Sequence, residues 1–164
     1  MKLLLHSIGL LAFAALWVSC TASAVNSTVP SAEGMKWEQW SNAYPNALND
    51  KKIIIVDLYT DWCGWCKVMD RETYGKKSVQ NAINNGFVAV KLNPETQGVK
   101  YQFEGKEYSG QELVQVLVNG RLQGYPTTLF VLPNRKVLSQ AGYLKDTEFI
   151  QLLNEVSAQA KGTR

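Results

Sequence analysis

The chain has 164 residues, 46% of them hydrophobic, with 17 Lys and Arg against 14 Asp and Glu for a net charge of +3. Its cations are scattered, Lys76-Lys77 and Arg135-Lys136 being only pairs, so the concentrated basic patch of a nucleic-acid binder is missing and no such partner is expected. A structural zinc site needs about four ligands; beyond Cys63 and Cys66 the chain offers Cys20 and His6, both in a terminal signal, so no metal is expected.

The first 24 residues read as that signal. Lys2 precedes an apolar core from Ile8 to Val18, too short to span a bilayer that needs about 20 residues. Two processing outcomes compete. Ala22-Ser23-Ala24 has the small-x-small form that signal peptidase prefers and would leave Val25 as the new terminus. Val18-Ser19-Cys20 instead resembles the end of a bacterial lipoprotein signal, which would leave a lipid-anchored Cys20. Trp17 departs from the small set of aliphatics usual three places before that cysteine, so simple cleavage is favoured.

Residues 25–34, VNSTVPSAEG, are small and polar around a proline and read as a flexible leader. Roughly 140 residues remain once the signal is removed, one domain's worth by the usual length prior, and residues 35–164 form that domain. Trp37, Trp40, Ala43, Ala47 and Leu48 recur at helical spacing, with Pro45 expected to break or kink the helix near Tyr44. These tryptophans read as core.

Ile53-Ile54-Ile55-Val56 is an unbroken apolar run, the mark of a strand buried on both faces. Asp57 follows inside it, and Cys63-Gly64-Trp65-Cys66 stands where such a strand hands over to a helix. At a helix start the unpaired N–H groups and the positive end of the dipole favour a thiolate. Cys63 is therefore the candidate nucleophile and Cys66, one turn further, the resolving thiol. A purely structural disulfide across so short a loop would remove little unfolded-state freedom, so redox chemistry is the better reading.

From Gly64 a helix should run past Met69 and kink around Gly75, with Ser78, Val79, Ala82 and Ile83 continuing an amphipathic pattern to a C-cap at Asn85-Gly86. Phe87 to Leu92 is a second buried strand. Tyr101 to Tyr108 alternates around Glu104-Gly105 like a small hairpin, and Ser109 caps a helix carrying Leu113, Val114, Leu117 and Val118. The hairpin reads first as a stabilising flap and second as a specificity element. Thr127 to Leu132 and Val137 to Ser139 are strands about a Pro133-Asn134-Arg135 turn, and Asp146 to Ala160 is a final helix whose apolar face is Phe149, Ile150, Leu152, Leu153 and Val156. Alternating strands and helices that end in a hairpin and helix give an α/β fold with a central mixed sheet flanked by helices.

Three segments resemble the thioredoxin family in that family's order: VDLYTDWCGWCK from Val56 to Lys67, VAVKLN from Val88 to Asn93, and GYPTTLFV from Gly124 to Val131. The resemblance covers most of the chain from Trp37 onward and implies a thioredoxin-like fold, with the hairpin and helix inserted before the cis-proline strand. It implies a role for Asp57 as a buried carboxyl of raised pKa that accepts the Cys66 proton. It implies Lys91 as that acid's partner, and Pro126 as a cis-proline packed opposite the dithiol. Only about 5% of X-Pro bonds are cis, so this last expectation rests on the resemblance. The backbone of Tyr125 would then offer an edge on which an extended substrate segment can pair, with Trp62, Gly64, Trp65 and Tyr125 around it.

The resulting expectation is an exported, periplasmic, monomeric thiol:disulfide oxidoreductase with no cofactor beyond its own Cys63-Cys66 pair. The Gly-Trp dipeptide between the cysteines supplies no extra cation to stabilise a thiolate, which favours a reductase drawing electrons from a membrane-embedded thiol donor and passing them to substrate proteins with disulfides. An isomerase or oxidase, and a redox-inert binding module on the same fold, are the alternatives.

Overall fold

The structure, a computed structural model, describes residues 34–162. The signal, both of its processing outcomes, Cys20, His6 and all but the last residue of the leader lie outside the described residues. Among those described, no helix is long and apolar enough to cross a membrane.

A five-stranded mixed sheet forms the centre. Its strands are β1 (Trp37–Glu38), β2 (Ile53–Leu58), β3 (Phe87–Leu92), β6 (Thr127–Val131) and β7 (Val137–Ala141), in the spatial order β1-β3-β2-β6-β7. The pairs β1/β3 and β2/β3 are parallel, while β2/β6 and β6/β7 are antiparallel. All six residues of β2 are buried, as the unbroken apolar run predicts for a central strand covered on both faces.

Side chains alternate across that strand. Ile54, Val56 and Leu58 face a core shared with α1 (Trp40–Asp50) and α4 (Gly110–Leu117). Ile53 and Ile55 face a second core, shared with α2 (Gly64–Met69), α3 (Lys77–Gly86) and α5 (Asp146–Gly162). The expected mixed α/β architecture with helices on both faces is therefore present.

The remaining strands, β4 (Tyr101–Phe103) and β5 (Lys106–Tyr108), make the expected hairpin as a separate two-stranded sheet. Glu104 and Gly105 at its tip have φ of 50° and 75°, the left-handed pair that a two-residue hairpin turn demands. It packs on α1: the Trp40 indole donates to the Gln102 carbonyl at 2.8 Å, and Trp40, Tyr44 and Phe103 form one aromatic cluster. The flap is thus tied into the core. After it, Ser109 and Glu112 close a reciprocal capping box at the start of α4.

Three local expectations are corrected. Trp37 is not helical; it lies in β1, paired with Ala89, because its spacing to Trp40 coincides with a helical step while Gln39 caps a helix that begins only at Trp40. Pro45 does not end that helix, which continues to Asp50. The bond a proline cannot donate would reach Ser41, and both residues are on the exposed face, where water can satisfy the freed carbonyl. Helix α3 does end at Gly86 as expected, but without a glycine cap: it passes directly into β3, with Phe87 already extended at φ −137°.

The segment after the dithiol is interrupted earlier than expected. Helix α2 gives way at Asp70 to a π-helical turn, Asp70–Tyr74, which buries Thr73 and Tyr74 and stops at Gly75. A Cβ at Gly75 would stand 2.5 Å from the Arg71 carbonyl oxygen, whereas one at Gly86 would meet nothing within 4 Å. Gly75→Ala should accordingly destabilise the protein by roughly 1–3 kcal/mol through overpacking. Gly86→Ala should be neutral or stabilising by up to about 1 kcal/mol, since it only removes unfolded-state freedom. Urea denaturation of the oxidised variants checks the pair, and equal midpoints would contradict it.

Candidate active site

Cys63 and Cys66 are joined in a disulfide with their Cα atoms 5.3 Å apart. Cys63 is the N-cap of α2, and the Cys66 N–H donates to Cys63 Sγ at 3.1 Å. A helix start leaves such donors without intrahelical partners, so in the reduced protein a thiolate on Cys63 has a donor in place. Both cysteines are covered, at 5% and 4% exposure; helix position, not accessibility, distinguishes them. Gly64, the first residue of α2, has open space where a side chain would stand.

Two exposed tryptophans flank the pair. Trp62 is 68% and Trp65 62% exposed, unusual for residues that are ordinarily covered, and each is held by an aromatic neighbour. Trp62 meets Tyr125 edge-on at 5.8 Å and donates its indole N–H to the Glu95 carboxylate at 3.1 Å. Trp65 lies 5.6 Å from the Tyr143 ring, and the Tyr143 hydroxyl donates to Glu72 at 3.2 Å. Arg71 and Tyr143 hold the Glu72 carboxyl below its ordinary value. The Tyr125-Pro126 bond is cis, and the Gly142 N–H donates to the Pro126 carbonyl at 2.8 Å, tying the Tyr143 loop to the proline loop.

Beneath this surface is Asp57, on the face of β2 that carries Ile53 and Ile55. In register it stands between Lys91 of β3 and Thr128 of β6, and it is 2% exposed. Burial pushes its carboxyl from 3.8 up to about 6, with Lys91 pulling it down and Asp70 pushing it further up. Tyr74 of the π-helical turn adds a phenol 3.2 Å from the Thr128 hydroxyl. Burial, and then the Asp57 charge, raise that phenol well above its ordinary value.

Lys91 lies 3.5 Å from Asp57 Oδ2 but 2.5 and 2.7 Å from the two oxygens of Asp70. Its ammonium also stands over the rings of Tyr59, at 4.8 Å, and Trp37, at 5.4 Å. The expected Asp57–Lys91 pair is therefore one side of a three-membered cluster. Asp70 is absent from the sequence-based site, although its place four residues after Cys66, on the same helical face, is a readable signal. Glu95, Glu72 and Tyr143 are also absent from it; Tyr143, in the loop after β7, carries no local sequence signal.

The family model Thioredox_DsbH, described as "Protein of unknown function, DUF255", matches residues 28–163. The chain belongs to this DsbH-type, thioredoxin-like family. A structure titled "DsbH Oxidoreductase" superposes with a TM-score of 0.59 at 19% identity, over 84% of this chain and 92% of that one. A thioredoxin from Thermus thermophilus superposes with a TM-score of 0.62 at 20% identity, over 78% and 91%. At such identities these likenesses establish the fold. The thiol:disulfide interchange protein DsbD of Colwellia psychrerythraea is 28% identical over 101 residues, 60% of this chain but 15% of that protein; the chain likewise spans only 14% and 16% of two further curated relatives. A closed CxxC at a helix start is thus present in a chain of this DsbH-type family.

The raised Asp57 value has a thermodynamic sign. Between about pH 4 and pH 6 the unfolded chain gives up this proton while the folded protein keeps it, so stability falls as pH rises through that window and the full loss stands above it. Asp57→Asn should therefore stabilise the oxidised protein at about pH 7.5 by up to about 3 kcal/mol, and little at about pH 4. Urea midpoints at the two pH values test this; a variant equally or less stable than the parent at the higher value would contradict the shift.

Proposed function

We propose that this protein is an exported, periplasmic protein-disulfide reductase in which Cys63 attacks and Cys66 resolves. The observation that carries the reading is the closed Cys63–Cys66 pair capping α2, set among exposed Trp62 and Trp65 and above a buried carboxyl. In the reduced form the Cys63 thiolate attacks one sulfur of a substrate disulfide, forming a mixed disulfide and releasing the other substrate sulfur as a thiolate that takes up a proton. Cys66 passes its proton to Asp57 and attacks Cys63 Sγ. The internal disulfide closes, the second substrate thiolate leaves, and two electrons have moved to the substrate.

Asp57 suits that service because it is shielded and titrates near neutrality, so it is largely a carboxylate at pH 7 yet can hold a proton. The backbone beside the cis Tyr125-Pro126 bond is the edge on which an extended substrate strand pairs, with Trp62, Trp65 and Tyr125 as its apolar rim and the open space over Gly64 as room for close approach. The reductive direction is supported by the Gly64-Trp65 dipeptide, which brings no cation to the Cys63 sulfur. A reductase in an oxidising compartment needs a source of electrons, and a membrane-embedded dithiol protein is the donor class that fits. The protein acts as a monomer, freed by cleavage after Ala24 rather than anchored through Cys20.

The test separates the two half-reactions. Cys66→Ser should accumulate a mixed disulfide through Cys63 with a small disulfide-bonded protein, and iodoacetamide should label Cys63 first in the reduced parent. Asp57→Asn should slow resolution by roughly tenfold or more while leaving formation nearly unchanged. Preferential alkylation of Cys66, or equal slowing of both steps, would overturn the assignment.

A further inference from the structure

One ammonium serves two carboxylates at the base of this site. When Asp57 and Asp70 are both ionised the cluster carries one uncompensated negative charge, which the buried member, Asp57, resists most strongly. Which acid takes the proton follows from where Lys91 sits. Its Nζ is 2.5 and 2.7 Å from both oxygens of Asp70 and 3.5 Å from one oxygen of Asp57. The Asp70 side chain is 42% exposed and that of Asp57 3%. The exposed acid holds the cation, and the buried acid is left short of one.

The position of Asp70 is built rather than incidental. It opens the π-helical turn, and its N–H donates to the Cys66 carbonyl, which sets it one turn below that cysteine. Tyr59 and Trp37 supply rings on which the Lys91 ammonium rests, so the cation is confined between the two acids. The titratable groups acting on Asp57 are Lys91 from β3, and Asp70 and Tyr74 from the π-helical turn.

We propose that Asp70 is a positioning residue of the redox site: by gripping the Lys91 ammonium with both carboxylate oxygens it draws that cation off Asp57, leaving Asp57 to take the Cys66 proton during resolution. The proposal rests on the reading above that Asp57 serves Cys66. Without the Asp70 charge, Lys91 and Asp57 become a one-to-one pair, and the cation offsets more of the rise that burial imposes on Asp57. Closing the gap from 3.5 Å to ordinary hydrogen-bond length should then lower its midpoint by about one unit. The same change would leave Asp57 a weaker base toward the thiol, slowing resolution near neutral pH.

Carbon-13 NMR titration of the aspartate carboxyls in the oxidised full-length protein reads this directly, with the Asp57 signal assigned by its loss in Asp57→Asn. The parent should titrate at about 6. Asp70→Asn should move the midpoint down by about one unit, Asp70→Ser should do the same with a side chain of different shape, and Asp70→Glu should restore it. The pH profile of mixed-disulfide resolution should move in parallel. An unmoved Asp57 midpoint in the charge-free variants, or a midpoint in Asp70→Glu as low as theirs, would overturn the role of Asp70. A carboxyl midpoint that moves while the resolution profile stays still would instead overturn the service of Asp57 to Cys66.

Discussion

A carboxyl on the inner face of a central strand is an expensive thing to bury, and the end of the sheet that carries the disulfide is organised around that cost. Parallel register puts Lys91 directly beside Asp57, and antiparallel register puts Thr128 on its other side. From above, the π-helical turn brings Tyr74 and Asp70. The cost is met only in part, because Lys91 is nearer to Asp70 than to Asp57. What remains is a shielded group that changes charge near neutral pH, the property a proton acceptor for a resolving thiol needs. The stability lost between about pH 4 and pH 6 is the cost of a group able to do chemistry near neutrality, the usual relation between strained sites and function.

The same helix start carries the other half of the chemistry. Cys63 caps α2 through its own sulfur, so the group proposed as the nucleophile already occupies the place where a helix best tolerates negative charge. Around it the aromatic rim is braced rather than loose: Glu95 fixes Trp62, while Tyr143, itself hydrogen-bonded to Glu72, fixes Trp65. The cis-proline loop and the Tyr143 loop are joined by the Gly142 to Pro126 hydrogen bond, so the two walls belong to one connected surface. An extended chain laid across such a surface loses less freedom in binding than one that must first order it.

Much of this was legible in the sequence because the strongest signals were short and local. An unbroken apolar run ending in an acid could be little other than a central strand, and the CxxC placed itself at the strand-to-helix junction. Glu104-Gly105 marked a hairpin, and Ser109 marked a helix start. Readings failed where local pattern met tertiary context. The spacing of Trp37 to Trp40 mimicked a helix although Trp37 pairs with β3, and Pro45 was tolerated because the carbonyl it leaves unbonded faces water. Asp70 escaped although its spacing from Cys66 was readable, because its partner is the cation that the β3 register brings under α2, which that spacing does not report. Tyr143 escaped because a loop residue declares nothing until the loop is placed.

The proposed reductase requires the Cys63–Cys66 pair to be a working redox couple that gives electrons rather than takes them. The measurement that bears on it most directly is the reduction potential of the pair, obtained by equilibrating the folded protein with glutathione and dithiothreitol mixtures and counting free thiols. A value near or below about −200 mV is expected of a reductase; a value close to the roughly −120 mV of strongly oxidising dithiol proteins, or a pair that fails to exchange in the folded protein, would contradict that function.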